Sequence, residues 1–241
     1  MNNVFRTINE MMDTIMDKAK NDDRIRAVIL NGSRANPEAP KDIFQDIDII
    51  YVVTEKESFI SDRNWIDIFG EIMILQMPDL MDEIDDRNQS FTYLMQFTDG
   101  NRIDLTLFPL DHAKNLNKRD SQTIILMDKD NIYPDTPQAS NKDYYIKKPT
   151  EKSFNDCCNE FWWLAPYIAK GIWRDEIPYA MEFLNKYQKD MLNRMLSWYI
   201  GIDTDFSVSS GKCSKYLKRY LPSNLYAKYE LTYSNANSKN I

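Results

Sequence analysis

The amino-acid sequence predicts an α+β protein, with a mixed β-sheet flanked by helices in its N-terminal part and a helical C-terminal part. Residues 46–53 (DIDIIYVV) form the clearest β-strand pattern in the chain. Two further β-rich runs, 91–98 and 102–109, flank the turn sequence Asp99–Gly100–Asn101, which is typical of a hairpin. After a polar, proline-containing stretch at 133–150, apolar residues follow helical spacing. We therefore place a domain boundary near residue 148, which gives domains 1–148 and 149–241.

The other elements of the N-terminal domain follow in chain order. Apolar side chains within 4–19 recur at helical spacing, which predicts a helix with one buried face. The run RAVILN at 26–31 is typical of a short buried strand. Pro37 and Pro40 exclude a long helix from the polar loop that follows. Residues 71–77 are a further strand candidate.

Three helices are predicted in the C-terminal domain. The first covers 153–170 and ends at Gly171. In the second, Pro178 occupies the first turn, and the helix continues to Tyr199 and ends at Gly201. The third covers roughly 211–220, because Pro222 prevents its extension.

Composition narrows the classes of function. The chain carries 37 acidic and 30 basic side chains, a net charge of −7. An acidic chain is poorly suited to bind a nucleic-acid backbone and better suited to attract cationic small molecules. The single histidine, His112, excludes His-rich zinc sites, and the three cysteines lack CxxC spacing.

Nothing in the sequence indicates export or membrane insertion. Apolar runs such as 47–53 are too short to cross a bilayer, and Asp48 interrupts this one. Residues 1–6 lack the basic region that precedes the apolar core of a signal peptide. We expect a cytoplasmic monomer with no membrane or nucleic-acid partner.

A polar motif connects the strands at 26–31 and 46–53. Asn31–Gly32–Ser33 ends the first, and Asp46–Ile47–Asp48 begins the second. Alternate residues of a strand face the same side, so Asp46 and Asp48 project together. Glycine lets the backbone approach a phosphate, and the Ser33 hydroxyl with the turn amides can donate to phosphate oxygens. Paired carboxylates beside such a site suit Mg²⁺, although an isolated Asp-x-Asp would also fit a solvated strand edge.

Asp104 is the third candidate carboxylate. In the run RIDLTLF at 102–108, the apolar residues share one face of the strand, and Arg102, Asp104 and Thr106 share the other. The alternative is a solvated face of the hairpin. The two acids of the Asp-x-Asp motif favour a functional role.

These residues carry a family resemblance. Gly32–Ser33, Asp46–Ile47–Asp48 and Asp104 together match the nucleotidyltransferase signature of the DNA polymerase β-like superfamily. The longer string LNGSRANPEAPKDIFQDIDIIYVV at 30–53 resembles the aminoglycoside 6-adenylyltransferases, the streptomycin-modifying group. FWWLAPYIAKGIWRDEIPYA at 161–180 and GKCSKYLKRYLP at 211–222 resemble the helical domain of that family, so the resemblance covers nearly the whole chain. Family members usually continue past a segment like YELTYSN, whereas this chain ends in SNANSKNI, so a shortened helical domain is expected.

The resemblance implies transfer of AMP from ATP to a hydroxyl of an aminoglycoside such as streptomycin, with release of pyrophosphate and antibiotic resistance as the result. The N-terminal domain would hold ATP and Mg²⁺, and the helical domain would complete the site. Asp46 and Asp48 would bridge two Mg²⁺ ions, one on the triphosphate and one that lowers the pKa of the attacking hydroxyl. Asp104 is either a third ligand or the general base, and the resemblance favours the base.

Charged residues of the helical domain are candidates for contacts to both substrates. Lys212 and Lys215 follow a glycine near a predicted helix start and could offset the charge of the triphosphate. A solvated basic helix face is the alternative. Asp175, Glu176 and Glu182 could bind the ammonium or guanidinium groups of the drug, with an ordinary surface acid as the alternative for each.

Two other functions fit the same motif. An enzyme that transfers AMP to a protein or a tRNA would keep the chemistry and change the acceptor, although the net acidity argues against tRNA. A non-catalytic nucleotide-binding protein belongs to a different class, and the presence of all the motif residues argues against it. The sequence does not fix which hydroxyl is modified or which aminoglycoside is preferred.

Overall fold

The computed structural model describes residues 5–81, 90–113, 120–134 and 136–241. The chain divides into two compact units, Met1–Asp143 and Tyr144–Ile241. The first contains a mixed sheet with helices, and the second is helical in its described residues, which confirms the predicted α+β class. The boundary predicted at 148 lies near the start of the second unit. No helix among the described residues is both long enough and apolar enough to span a membrane.

The first unit is built around a sheet whose described strands are β1 Ile25–Asn31, β2 Ile47–Val53, β3 Ile72–Gln76, β4 Phe91–Phe97, β5 Arg102–Pro109 and β6 Thr123–Asp128. They run in the order β3-β4-β5-β2-β1-β6. Strands β2 and β5 pair in parallel, and the other neighbours pair antiparallel. Short 3₁₀ segments lie at Arg63–Phe69, Pro78–Leu80 and Lys142–Tyr144. The described α-helices of the unit are α1 Ile8–Asn21, α2 Gly32–Ala35, α3 Glu57–Ser61 and α4 Leu110–Ala113.

Helix α1 covers one face of the sheet, as its apolar spacing predicts. The helix begins at Ile8 rather than near residue 4, because Thr7 forms a capping box with Glu10. The Thr7 amide donates to Glu10 Oε2 at 2.6 Å, and Thr7 Oγ1 accepts from the Glu10 amide at 3.3 Å. The hydroxyl of Tyr51 on β2 donates to the Ile15 carbonyl at 2.7 Å and joins the helix to the middle of the sheet.

The strands predicted from the sequence are all present, including the two of the predicted hairpin. Strands β4 and β5 pair antiparallel around the turn at 98–101, where the Asn101 amide donates to Asp99 Oδ1 at 3.1 Å. Strand β6 was not predicted from the sequence. Its run TIILMD pairs antiparallel with β1 at the edge of the sheet. The strand is short and polar segments flank it in the sequence, so its β pattern was not recognised.

The second unit packs its helices around a core that includes Trp198 and Ile200. A π-helical segment, Phe183–Gln188, connects the helix Ile177–Glu182 to the helix Lys189–Asp203. A 3₁₀ turn lies at Lys212–Ser214. The α-helices of the unit are α5 Glu151–Trp173, α6 Ile177–Glu182, α7 Lys189–Asp203, α8 Leu217–Tyr220 and α9 Ser223–Leu231.

Two glycines predicted to end helices instead lie inside them. A Cβ on Gly171 would lie 3.0 Å from the Cβ of Ala180, so this glycine lets α5 and α6 approach closely, and α5 continues to Trp173. A Cβ on Gly201 would lie 2.5 Å from the ring of Phe206, and α7 continues to Asp203. Close packing, rather than helix termination, explains both glycines.

The prediction of a single helix at 211–220 is wrong. The chain forms a 3₁₀ turn and then the short helix α8, because left-handed backbone at Gly211, Cys213 and Ser214 interrupts the helical path (φ of 75°, 54° and 62°). Helix α9, beyond Pro222, was not predicted.

Candidate active site

The structure brings together the three carboxylates that the sequence singled out. Asp46 lies immediately before β2, Asp48 lies on β2, and Asp104 lies on β5. The parallel pairing of these strands places Asp48 directly opposite Asp104. One oxygen from each of the three carboxylates lies within 4.8 Å of the others, and all three residues are half-buried. Such a cluster of hard oxygen atoms can bind a divalent cation.

A polar row crosses the sheet at the level of this cluster. Asp104, Asp48, Asn31 and Thr123 occupy matching positions on β5, β2, β1 and β6. Thr123 Oγ1 donates to Asn31 Oδ1 at 3.0 Å. Neighbouring strands are spaced by about 4.8 Å, so the row extends the polar surface about 10 Å beyond Asp48 on the side of β1.

Gly32 lies in contact with the acidic cluster. Its φ is +70°, and a Cβ at this position would lie 2.1 Å from Asp48 Oδ2. Only glycine leaves room for the carboxylate and adopts this backbone conformation without strain. The next residue, Ser33, accepts a hydrogen bond from Gln45 Nε2 at 3.3 Å, which connects α2 to the loop before β2.

Gly32→Ala is expected to reduce turnover about a hundredfold, because a clash with Asp48 displaces the cluster, and a displacement of 1 Å in an active site can cost that much. The matched control is Gly100→Ala. Gly100 also has a left-handed φ, of +85°, but a Cβ there would meet no atom closer than 3.9 Å. Steady-state rates and thermal unfolding of both variants test the prediction. Equal losses of turnover in the two variants would contradict it.

Arg34 fixes the backbone at Asp46, a role that sequence reasoning missed. Its Nε donates to the Asp46 carbonyl at 2.8 Å, and its Nη2 donates to the Gln45 carbonyl at 2.6 Å. Partial burial lowers the pKa of Arg34 from its usual value. The side chain therefore holds the start of β2 at the cluster. An arginine directly after the Gly-Ser pair was the available signal in the sequence.

Arg102 binds Asp104 with both branches of its guanidinium, which sequence reasoning also missed. Nε donates to Asp104 Oδ1 at 2.7 Å, and Nη2 donates to Oδ2 at 2.8 Å. These hydrogen bonds raise the pKa of Arg102 further above its already high value. The two residues share a strand face at i and i+2, so the alternation already quoted was enough to place them together.

The predicted basic residues of the second unit flank its left-handed turn. Lys212 begins the 3₁₀ segment, and Lys215 follows it, both with exposed side chains. Neither lies at the start of a long helix, so the helix-terminus argument made for them from the sequence is wrong. The Nζ atom of Lys215 lies 5.2 Å from the ring centroid of Tyr216.

The predicted acids of the second unit lie between α5 and α6 and at the C-terminal end of α6. Asp175 has a left-handed φ of 57° and lies between the two helices, and Glu176 precedes α6 directly. Both are exposed. Glu182 is exposed as well and forms an i,i+4 ion pair with Lys186 at 3.0 Å.

Comparison with known proteins identifies the family. The family model described as "Streptomycin adenylyltransferase" matches residues 5–241. The chain is 44% identical over 230 residues to an aminoglycoside 6-adenylyltransferase from Campylobacter jejuni, covering 95% of this chain and 80% of that protein. It is 42% identical over 232 residues to an aminoglycoside 6-adenylyltransferase from Bacillus subtilis (strain 168), covering 95% and 82%.

Among solved structures, the crystal structure of an aminoglycoside 6-adenyltransferase from Bacillus subtilis is 37% identical, with a TM-score of 0.43 and coverage of 98% of this chain and 83% of that one. The sequence matches extend over nearly the whole chain and confirm the resemblance. The chain is therefore a nucleotidyltransferase that belongs to the streptomycin adenylyltransferase family.

Proposed function

We propose that this enzyme transfers AMP from ATP to a hydroxyl of an aminoglycoside such as streptomycin and so confers resistance to the drug. The observation that supports the proposal is the cluster of Asp46, Asp48 and Asp104 beside Gly32, in a chain of this family. We further infer that the enzyme acts as a cytoplasmic monomer.

The acidic cluster fits Mg²⁺. Three half-buried carboxylates approach one another within 4.8 Å, an arrangement of like charges that a cation would relieve. Their ligand atoms are the hard oxygens that Mg²⁺ prefers. A bound Mg²⁺ ion would also be coordinated by the phosphates of the nucleotide. Asp46 and Asp48 would hold two ions. Bound Mg²⁺ would offset the charge of the triphosphate and lower the pKa of the attacking hydroxyl.

Gly32 and Ser33 are the proposed phosphate contacts. The glycine allows the backbone to approach the nucleotide closely, and the Ser33 hydroxyl can donate to a phosphate oxygen. Because α2 has only four residues, the helix macrodipole contributes little here. Lys212 and Lys215 are the proposed cationic partners of the triphosphate, and their side chains are exposed.

The reaction consists of an in-line attack on the α-phosphorus. A bond forms from the acceptor oxygen to the α-phosphorus, the bond from that phosphorus to the β-phosphate oxygen breaks, and pyrophosphate leaves. The proton of the acceptor hydroxyl passes to Asp104 if this residue is the general base. If Asp104 is instead a third metal ligand, it would help to hold the ions, and the proton of the hydroxyl would pass to solvent.

The acceptor is proposed to be cationic. The chain has a net charge of −7, and the exposed acids Asp175 and Glu176 can exchange water for ammonium or guanidinium groups. Glu182 would have to exchange its partner Lys186 for the drug. All three lie in the second unit.

A pyrophosphate-release assay with ATP, Mg²⁺ and a panel of aminoglycosides tests the proposal. We expect streptomycin to support turnover, with a KM that rises roughly three- to tenfold between 0.05 and 0.5 M salt, because salt screens exposed charge pairs. A neutral trisaccharide is the control and should support none. No release with any aminoglycoside would contradict the acceptor class, and release that depends on a protein or a tRNA would replace it.

A further inference from the structure

The Arg102–Asp104 contact occupies both oxygens of the carboxylate proposed to act on the acceptor. The two hydrogen bonds measure 2.7 and 2.8 Å, one to each oxygen. In this geometry neither a hydroxyl nor a metal ion can approach Asp104 along the directions that the guanidinium fills. Each carboxylate oxygen keeps a second lone pair, so the contact competes with either proposed role of Asp104 without excluding it, and the competition ends when Arg102 moves aside.

Arg102 is placed so that it can move. Its side chain is 44% exposed, whereas that of Asp104 is 19% exposed. Solvent and salt screen an ion pair whose guanidinium is nearly half exposed, so a competing cation can displace Arg102. The carboxylate, by contrast, is held on a paired strand within the acidic cluster.

We propose that Arg102 is a positioning residue that restrains Asp104 until a cationic acceptor displaces it. This inference rests on the proposed function. In the resting enzyme, the guanidinium supplies a positive charge to the acidic cluster and keeps Asp104 engaged. The positive charge of the acceptor then replaces that of Arg102 and repels it, and Asp104 becomes available to the hydroxyl. Coupling the release of Asp104 to a cation favours cationic acceptors over water.

The restraint has a consequence that a purely structural ion pair would not have. Without acceptor, water could attack the α-phosphorus, with its proton passing to Asp104, to give AMP and pyrophosphate. While Arg102 holds both carboxylate oxygens, this hydrolysis is slow. Removing Arg102 should raise acceptor-independent hydrolysis and at the same time strengthen binding of the cationic acceptor.

The test compares Arg102→Met with Arg26→Met. Arg26 forms an equivalent two-branched pair with Asp130, which includes an Nε–Oδ2 hydrogen bond of 2.7 Å, at the opposite end of β1 from Gly32. Arg102→Met should lower the KM for streptomycin about two- to fivefold, the range that a half-exposed ion pair is worth. It should raise acceptor-independent pyrophosphate release several-fold and leave the KM for ATP unchanged. Arg26→Met should match the wild type in all three measurements.

Calorimetry of streptomycin binding without ATP or metal gives a readout independent of turnover. The affinity of Arg102→Met should rise by the same factor by which its KM falls. Acceptor-independent release and streptomycin affinity both within twofold of wild type would overturn the inference. A weaker affinity for streptomycin would also overturn it, because Arg102 would then contact the acceptor directly.

If Arg102→Met does not fold, Arg102→Lys decides the question, because lysine keeps the charge but loses the two-branched contact. Raised acceptor-independent release is then expected, and wild-type release would overturn the inference. Failure of the proposed function is a separate result. In that case the wild-type enzyme itself would not transfer AMP to streptomycin.

Discussion

Asp48→Asn and Asp46→Asn are each expected to abolish AMP transfer while leaving the fold intact. Each substitution removes one of three carboxylates that bring one oxygen each within 4.8 Å of the others, and with it a negative charge proposed to hold the metal ions. Stabilisation of transition-state charge by a metal ion is worth several kcal/mol, so kcat/KM should fall about a thousandfold or more. Steady-state kinetics at ordinary Mg²⁺ concentrations measures this loss.

Asp23→Asn is the matched control, because Asp23 belongs to the same unit but is fully exposed, and the nearest oxygen–nitrogen distance to Lys129 is a loose 3.9 Å. It should retain full turnover. The thermal unfolding midpoints of the two active-site variants should be no lower than that of the wild type, because each substitution relieves repulsion among like charges. Near-normal turnover in both variants would exclude the two-metal assignment.

Asp104→Asn is expected to lower the rate of the chemical step by roughly two to four orders of magnitude if Asp104 is the general base, the usual worth of a positioned base. Binding of Mg·ATP should be retained, because the two proposed metal ligands, Asp46 and Asp48, are unchanged in this variant. Single-turnover kinetics and nucleotide affinity, measured across a titration of Mg²⁺ and Mn²⁺, separate this role from that of a metal ligand.

Rescue of Asp104→Asn by added metal would overturn the base assignment and make Asp104 a third ligand. Unchanged turnover would remove it from the mechanism altogether. The reference variant is Asp111→Asn, because Asp111 is an acid that lies just past the end of the same strand. That variant should keep the wild-type rate.

Local alternation made the acidic cluster predictable. The period of two along a strand places Asp46 and Asp48 on one face, and the turn at 99–101 identifies the hairpin that carries Asp104. The register that sets Asp48 opposite Asp104 could not be derived in the same way. It depends on parallel pairing between β2 and β5, strands far apart in sequence, whereas the hairpin partner of β5 is its neighbour in the chain. Family resemblance supplied what local spacing did not.

The failed predictions have two physical causes. Gly171 and Gly201 were interpreted as helix ends, but each is required for close packing against another element, which a single sequence does not reveal. The helix predicted at 211–220 is broken by left-handed backbone at Cys213 and Ser214, residue types that rarely adopt it. At the two glycines, tertiary packing overrides the local signal for a helix end.

The measurement that tests the central claim most directly follows the label from ATP into streptomycin. The enzyme is incubated with Mg²⁺, streptomycin and ATP labelled at either the α- or the γ-phosphate. We expect label from the α-phosphate to appear on the drug and label from the γ-phosphate to appear only in pyrophosphate. In Asp48→Asn, neither labelled drug nor labelled pyrophosphate should form. Appearance of the γ-phosphate on the drug, or transfer of the α-label by Asp48→Asn at the wild-type rate, would contradict the account.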